Sequence, residues 1–94
     1  MTANEARQIT NKVRENNVSS IMDEIIEKSE EKIKRAAEVG LVSTVVEVRC
    51  SPIDEELFKQ KVYSYFEQLG YKVTCYICDR FGNRCCQVII NWEW

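Results

Sequence analysis

The cysteines in the C-terminal half of the chain have a spacing that could bind a metal ion. Cys75 and Cys78 form a Cys-x-x-Cys motif, and Cys85 and Cys86 follow as an adjacent pair. Four thiolates are the ligand number of a structural zinc site, so zinc held by these four side chains is one hypothesis. The alternative is that the cysteines are small apolar residues that fill a sheet. The dipeptide Tyr76-Ile77 is typical of a strand rather than of a metal-binding turn, which favours packing, so we expect no bound metal.

The residue types exclude most other catalytic chemistry. The chain has no histidine, which removes Ser-His-Asp and Cys-His nucleophilic systems and leaves no imidazole to activate a thiol. Gly40, Gly70 and Gly82 stand apart from one another at the expected ends of elements, so they form no phosphate-binding loop. The acidic residues 54–56 are explained by the start of a helix. We therefore expect a protein that is not an enzyme and that uses no cofactor.

Two groups of side chains could instead bind a partner. Arg80, Phe81 and Arg84 form a basic and aromatic cluster at the tip of a predicted hairpin, where the ring could stack on a base or enter a protein pocket. The alternative is a solvated turn in which Phe81 folds back onto the sheet. Trp94 is the other candidate, and we expect it to pack over a sheet edge or against a neighbouring subunit.

Helical periodicity dominates the first 40 residues. A capping signature at Thr2 predicts a short helix over about residues 3–15. Asn16-Asn17 interrupts the pattern, and either of the two serines that follow at 19 and 20 could cap a second helix, which ends at Gly40. One continuous helix is the alternative, because asparagine costs only a few tenths of a kcal/mol relative to a good helix former.

The rest of the chain predicts a strand, a helix and a hairpin. Residues 41–50 are rich in β-branched side chains that alternate in polarity. Pro52 fits the first turn of a third helix, which Gly70 ends. Two further strands are predicted over about residues 71–80 and 84–94.

This order of elements predicts an α+β fold. Two N-terminal helices precede a β-α-β-β unit whose strands form a three-stranded antiparallel sheet in the order 1-3-2. Helices would cover one face of the sheet and leave the other face uncovered. We treat residues 1–94 as a single small domain with a helical arm at 1–40 and a strand-helix-hairpin unit at 41–94.

The register of the hairpin decides which cysteines lie together. A two-residue turn at Gly82-Asn83 gathers the apolar side chains of both strands on the covered face. In that register Cys75 and Cys86 point to the covered face, whereas Cys78 and Cys85 point to the other, because side chains alternate along a strand. Four thiolates divided between two faces cannot form one tetrahedral site, which is a second argument for packing.

Apolar side chains also suggest an oligomer surface. The isoleucine, methionine and alanine stripe of the second helix must find a surface, on its own chain or on another copy. The uncovered sheet face is only half polar, and such a face often acquires a partner. The residues that we expect at an oligomer interface are Met22, Ile26, Ile33, Tyr76 and Ile89.

Two short motifs frame the last hairpin. Leu-Gly-Tyr-Lys-Val at 69–73 ends the amphipathic helix, and Ile-Asn-Trp lies at 90–92 in the last strand. Through these motifs and an N-terminal helix that contains Ala-Arg, the chain resembles small uncharacterised proteins encoded by tailed bacteriophages. The resemblance implies a phage or prophage origin, and it transfers no catalytic residue.

Composition and net charge limit the kinds of partner that we expect the chain to bind. All nine aromatics and all five cysteines lie at or after Cys50. The net charge of −2, from 13 Lys+Arg and 15 Asp+Glu, provides no basic surface for nucleic acid or an anionic membrane. The first residues lack the features of a signal peptide, so we expect the cytoplasm of a host cell or the virion.

These observations favour a self-associating protein that is not an enzyme. The leading hypothesis is a phage-encoded interaction protein that acts as a virion component or a host-directed factor. The alternative is a small anti-defence or inhibitory module that binds a nucleotide or a host protein through the tip at residues 80–84.

Overall fold

One long helix, a shorter helix and three strands make up the chain. The computed structural model describes residues 1–80 and 83–93, and at Arg80 it describes the backbone alone. The elements in chain order are α1 (Ala3–Glu38), β1 (Ser43–Arg49), α2 (Glu55–Gln68), β2 (Lys72–Arg80) and β3 (Asn83–Asn91). The fold is α+β, as predicted. The expectations for Phe81, Gly82 and Trp94 lie outside the described residues.

Both ends of α1 are capped as the sequence predicts. The Thr2 hydroxyl accepts a hydrogen bond from the Glu5 amide at 3.2 Å, which pairs one of the N–H groups that a helix leaves open at its start. At the other end Gly40 has a φ of 85°, and the Leu41 amide donates to the Ala36 carbonyl at 2.9 Å. A left-handed glycine with this hydrogen bond ends the helix and turns the chain toward β1.

The middle of α1 corrects the expectation of two separate N-terminal helices. The helix continues through Asn16-Asn17 without a break. The Asn17 side chain donates to the Pro52 carbonyl at 2.8 Å, and Val18 is fully buried. Ser20 caps no helix, since its hydroxyl donates back to the Asn16 carbonyl at 3.4 Å. Contacts with the rest of the fold outweigh the small intrinsic cost of two asparagines in a helix.

Helix α2, which the sequence predicts as a third helix, starts later than Pro52. Asp54 is its N-cap, and the carboxylate accepts from the Leu57 amide at 3.1 Å. Pro52 lies in the loop before it, where its carbonyl is the acceptor for Asn17. Gly70, with a φ of 89°, ends the helix as predicted.

The sheet has the predicted order and a corrected hairpin register. Its order is β1-β3-β2, and β3 pairs antiparallel with both neighbours. Arg80 is the partner of Asn83, and Cys78 is the partner of Cys85, so the pairing is displaced by two residues from a turn at Gly82-Asn83. A shift of two residues leaves every side chain on its predicted face, because the side-chain period of a strand is two.

Both helices cover the same face of the sheet. Lys32 also ties α1 to the first strand, since its ammonium donates to the Val45 carbonyl at 2.9 Å. The core between the layers contains the buried side chains of both helices, of the covered sheet face and of Ile53 in the loop before α2: Val18, Ile21, Met22, Ile25, Ile53, Phe58, Val62, Phe66, Val46, Val48, Cys75, Cys86, Val88 and Ile90.

Candidate functional site

The sheet separates the four cysteines that could have formed a zinc site. Cys75 and Cys86 are buried on the helix-covered face, whereas Cys78 and Cys85 are half-buried on the opposite face. No group of three or more His, Cys, Asp or Glu side chains is placed to hold a metal ion within residues 1–80 and 83–93. A single site that uses all four thiolates is therefore incompatible with this arrangement.

The thiols on the covered face pack as neutral groups. Burial raises the pKa of Cys75 to about 11, an effect that Lys59 partly offsets. Burial and a hydrogen bond with Cys50 raise the pKa of Cys86 well above its ordinary value. A thiol that keeps its proton at neutral pH is a poor nucleophile and a poor metal ligand. The geometry therefore favours packing roles for these side chains.

Arg84, near the hairpin tip, forms ion pairs within its own chain. Arg84 is 3.3 Å from Glu55 at the start of α2 and 3.5 Å from Asp79 on the neighbouring strand. Both ion pairs hold the Arg84 guanidinium against residues of its own chain. The side chain of Arg80, together with Phe81 and Trp94, lies outside the described residues, so the binding cluster at residues 80–84 stays a prediction.

A polar cleft lies between α1 and the start of α2. It has a volume of about 480 Å³. Its charged groups largely have partners or roles already, since Arg84 is paired with Glu55 and Asp54 caps α2. Because the remaining groups, Arg14 and Glu15, have opposite charges, the cleft favours neither an anion nor a cation.

The structure distributes the expected oligomer residues between the core and the surface. Met22 is 7% exposed and packs on its own sheet, so its assignment to an oligomer surface is corrected. Ile26 and Ile33 are half-buried and also pack against the core. On the uncovered sheet face, Tyr76 is about half exposed and Ile89 is half-buried.

The exposed N-terminal half of α1 is the part of the surface that the residue predictions missed. Every residue from 1 to 16 is exposed. From here on, the arm means the helical part of this segment, residues 3–16, which is shorter than the helical arm predicted at 1–40. Ile9 is 53% exposed and Val13 is 49% exposed. Ile9 precedes the buried Val18 by two and a half helical turns, so the two side chains point to opposite sides of α1.

A signal for this surface is present in the sequence. Ala6, Ile9 and Val13 form an apolar stripe, but it is out of phase with the stripe that begins at Val18. If the two stripes lay on two separate helices, the phase difference between them would not show which way either stripe faces. In one continuous helix it shows that the stripe of the arm faces away from the sheet.

The comparisons with known proteins found no relative of this chain. No protein-family model, curated protein or solved structure matches this chain. Among the described residues, no helix has both the length and the apolar character needed to cross a membrane.

Proposed function

We propose that this chain is an interaction protein, without enzymatic activity, that self-associates through the arm of α1. The observation that carries the proposal is the exposure of residues 1–16 on a helix whose remaining length is packed on a sheet. Ile9 and Val13 each leave about half of their surface in water. Because they lie on the side of α1 that faces away from the sheet, a second chain can reach them.

The spacing along the arm suits a second copy of the same helix. Thr2, Ala6, Ile9 and Val13 are separated by four, three and four residues, which is the spacing of the contact positions in a pair of packed helices. In an antiparallel pair, Ile9 of each copy lies beside Ala6 of the other, and Val13 lies beside Thr2. This alignment uses only the arm, so the two folded bodies lie at opposite ends.

Charge complementarity supports the antiparallel alignment. Glu5 and Lys12 flank the apolar stripe on the same side of the arm, one before Ala6 and one before Val13. In an antiparallel pair, Glu5 of each copy approaches Lys12 of the other, so the symmetry creates two ion pairs.

A parallel pair along the whole helix is disfavoured by the charges further along α1. The outward side continues with Glu24, Glu27 and Glu31, all of which are exposed. Parallel chains in register would set these carboxylates against their own copies. Lys28 and Arg35 partly neutralise two of these carboxylates, but beyond the arm the outward side still has charged groups in place of an apolar stripe, so we infer that association is confined to the arm.

The pairing is expected to be weak and reversible. Two short helices bury less than the roughly 1,000 Å² that a stable interface requires. We therefore expect dimers to appear as the protein concentration rises from micromolar toward millimolar.

Light scattering at increasing protein concentration tests the proposal. The wild-type mass is expected to rise toward that of a dimer, and Ile9→Asp or Val13→Asp is expected to keep it at one chain. Asn11→Asp is the matched control, because it adds the same charge to the side of the arm that borders the polar cleft. Equal association of all four proteins, or a monomeric wild type throughout, contradicts the proposal.

We also propose a phage origin, with a role in the virion or in the host cell. Its support is the sequence resemblance carried by residues 69–73 and 90–92. Mass spectrometry of purified particles and of infected-cell lysates tests it. Recovery with the particles supports a virion component, recovery in the lysate alone supports a host-directed factor, and absence from both contradicts the proposal.

A further inference from the structure

Two thiols lie at paired positions of β2 and β3 on the uncovered side of the sheet. Cys78 of β2 and Cys85 of β3 are direct register partners. Both side chains are half-buried, so a small reagent in solvent can reach them. The hairpin therefore creates a dithiol from residues that are seven positions apart in the chain.

The Cα spacing expected for this pair lies within the range of disulfides. The Cys50 amide donates to the Arg84 carbonyl, and the Trp92 amide donates to the Val42 carbonyl, so the backbone groups of Arg84 and Trp92 point toward β1. Backbone groups alternate in direction along a strand, so those of Cys85 point toward β2 and Cys78. Such hydrogen-bonded partners have Cα atoms about 5.5 Å apart, within the ~4.4–6.8 Å range of disulfides. Their Cβ atoms lie about 4.5–5.5 Å apart, so β2 and β3 must move slightly closer to reach the ~3.5–4.5 Å that the bond requires.

The other cysteines are poor competitors for this bond. Cys86 follows Cys85 directly in sequence but points to the covered face, where it is fully buried. Cys75 is buried on that face as well, and burial raises its pKa to about 11. Neither thiol can approach the uncovered face without disrupting the core.

We propose that Cys78 and Cys85 are a redox modification site that forms an intrachain disulfide by exchange with a small-molecule disulfide such as oxidised glutathione. One protein thiolate attacks a glutathione sulfur, forming a mixed disulfide and releasing one glutathione thiolate. The second protein thiolate attacks the protein sulfur of the mixed disulfide and releases the second glutathione. The two protein thiols are oxidised to one disulfide, the oxidant is reduced to two glutathione molecules, and the protons from the protein pass through solvent to the released thiolates.

The bond would connect β2 to β3 close to residues 81–82. It closes a loop that contains six residues, 79–84, and it leaves the helix-covered core unchanged. The modification would therefore fix the hairpin end without altering the packing beneath the sheet.

Peptide mapping after treatment with defined mixtures of oxidised and reduced glutathione tests the proposal. The full-length folded protein is alkylated, digested without reduction and analysed by mass spectrometry. The expected result is a pair of peptides linked through Cys78 and Cys85, lighter by two hydrogens than the two separate peptides. Cys75 and Cys86 are expected to be alkylated, which shows that they were thiols. A link between Cys85 and Cys86, links only between chains, or alkylation of both Cys78 and Cys85 at every mixture overturns the proposal.

Variants separate the two steps of the exchange. Cys85→Ser is expected to stop at the mixed disulfide and to keep glutathione on Cys78. Cys50→Ser is the matched control, since it removes a half-buried thiol outside the pair and should still give the intrachain link. If a variant fails to fold, the wild-type peptide map alone decides the question.

Discussion

The two halves of α1 have the same backbone conformation and very different surroundings. Residues 18–38 bury a stripe of side chains on the sheet, whereas residues 3–16 bury none. Each half carries apolar residues at helical spacing, but the two stripes lie on opposite sides of the helix. Apolar spacing therefore identifies a contact surface, and the phase of the stripe relative to the core decides whether the contact lies within the chain or outside it.

Paired isoleucines in the two halves give the largest expected difference. Ile25 is fully buried, whereas Ile9 is 53% exposed. We expect Ile25→Ala to lower the free energy of unfolding by about 2–5 kcal/mol, because a cavity remains in the core. Ile9→Ala should change it by less than ~0.5 kcal/mol in the monomer. Urea denaturation at low protein concentration measures both, and equal losses would show that the arm packs on its own chain.

The covered and uncovered faces of the sheet can also be compared through the pH dependence of the free energy of unfolding. Burial raises the pKa of Cys75 to about 11, from an ordinary value of 9.0. The folded state thus keeps a proton that the unfolded chain releases, so the free energy of unfolding should fall as pH rises from about 9 toward 11. The slope for one thiol is at most about 1.4 kcal/mol per pH unit.

Valine substitutions assign that slope to one face. Cys75→Val should make the decline above pH 9 shallower, whereas Thr74→Val, which removes no titratable group from the uncovered face, should leave it unchanged. Denaturation curves recorded at pH 7, 9 and 10 give the comparison. Identical slopes in both variants and the wild type would contradict the assignment to Cys75.

A side-chain hydrogen bond connects the junction between the halves of α1 to the loop before α2. Asn17 donates to the Pro52 carbonyl at 2.8 Å. Asn17→Ala should therefore cost about 1 kcal/mol of unfolding free energy, the net value of a typical hydrogen bond. Asn16→Ala is the matched control and should have no such cost, since Asn16 is exposed. A larger cost for Asn16 than for Asn17 would contradict this role.

The smallest expected effect concerns the charges of the arm. Lys12→Glu or Glu5→Lys should each weaken dimerisation several-fold, because an exposed ion pair contributes only ~0.2–1 kcal/mol. Mixing the two variants should restore association, since opposite charges then meet in the mixed dimer. Sedimentation velocity of each variant and of the mixture measures this. A mixture that associates no better than its components would contradict the antiparallel alignment.

Local signals were sufficient to predict most of the fold. The caps at Thr2 and Gly40, the helix stop at Gly70 and the sheet order all follow from residues close in sequence or from rules of chain connection. The faces of Cys75, Cys78, Cys85 and Cys86 were also predicted correctly. That prediction tolerated a hairpin register in error by two residues, because the side-chain pattern repeats every two residues.

Features that depend on long-range contacts could not be predicted. The continuity of α1 rests on Asn17 reaching Pro52 and on the burial of Val18, and neither contact is visible locally. The exposure of Ile9 on the side of α1 opposite the core follows from that continuity, whereas Met22 is buried because its part of α1 packs on the sheet. The candidate site therefore moved from Met22 to the arm.

Cross-linking of mixed isotopic forms tests the central claim most directly. Unlabelled and nitrogen-15-labelled chains are mixed, treated with a carbodiimide that joins carboxylates to amines without a spacer, digested and analysed by mass spectrometry. Self-association through antiparallel arms predicts a mixed-isotope product that joins Glu5 of one chain to Lys12 of the other. Absence of mixed-isotope products, or mixed products confined to residues outside the arm, would contradict it.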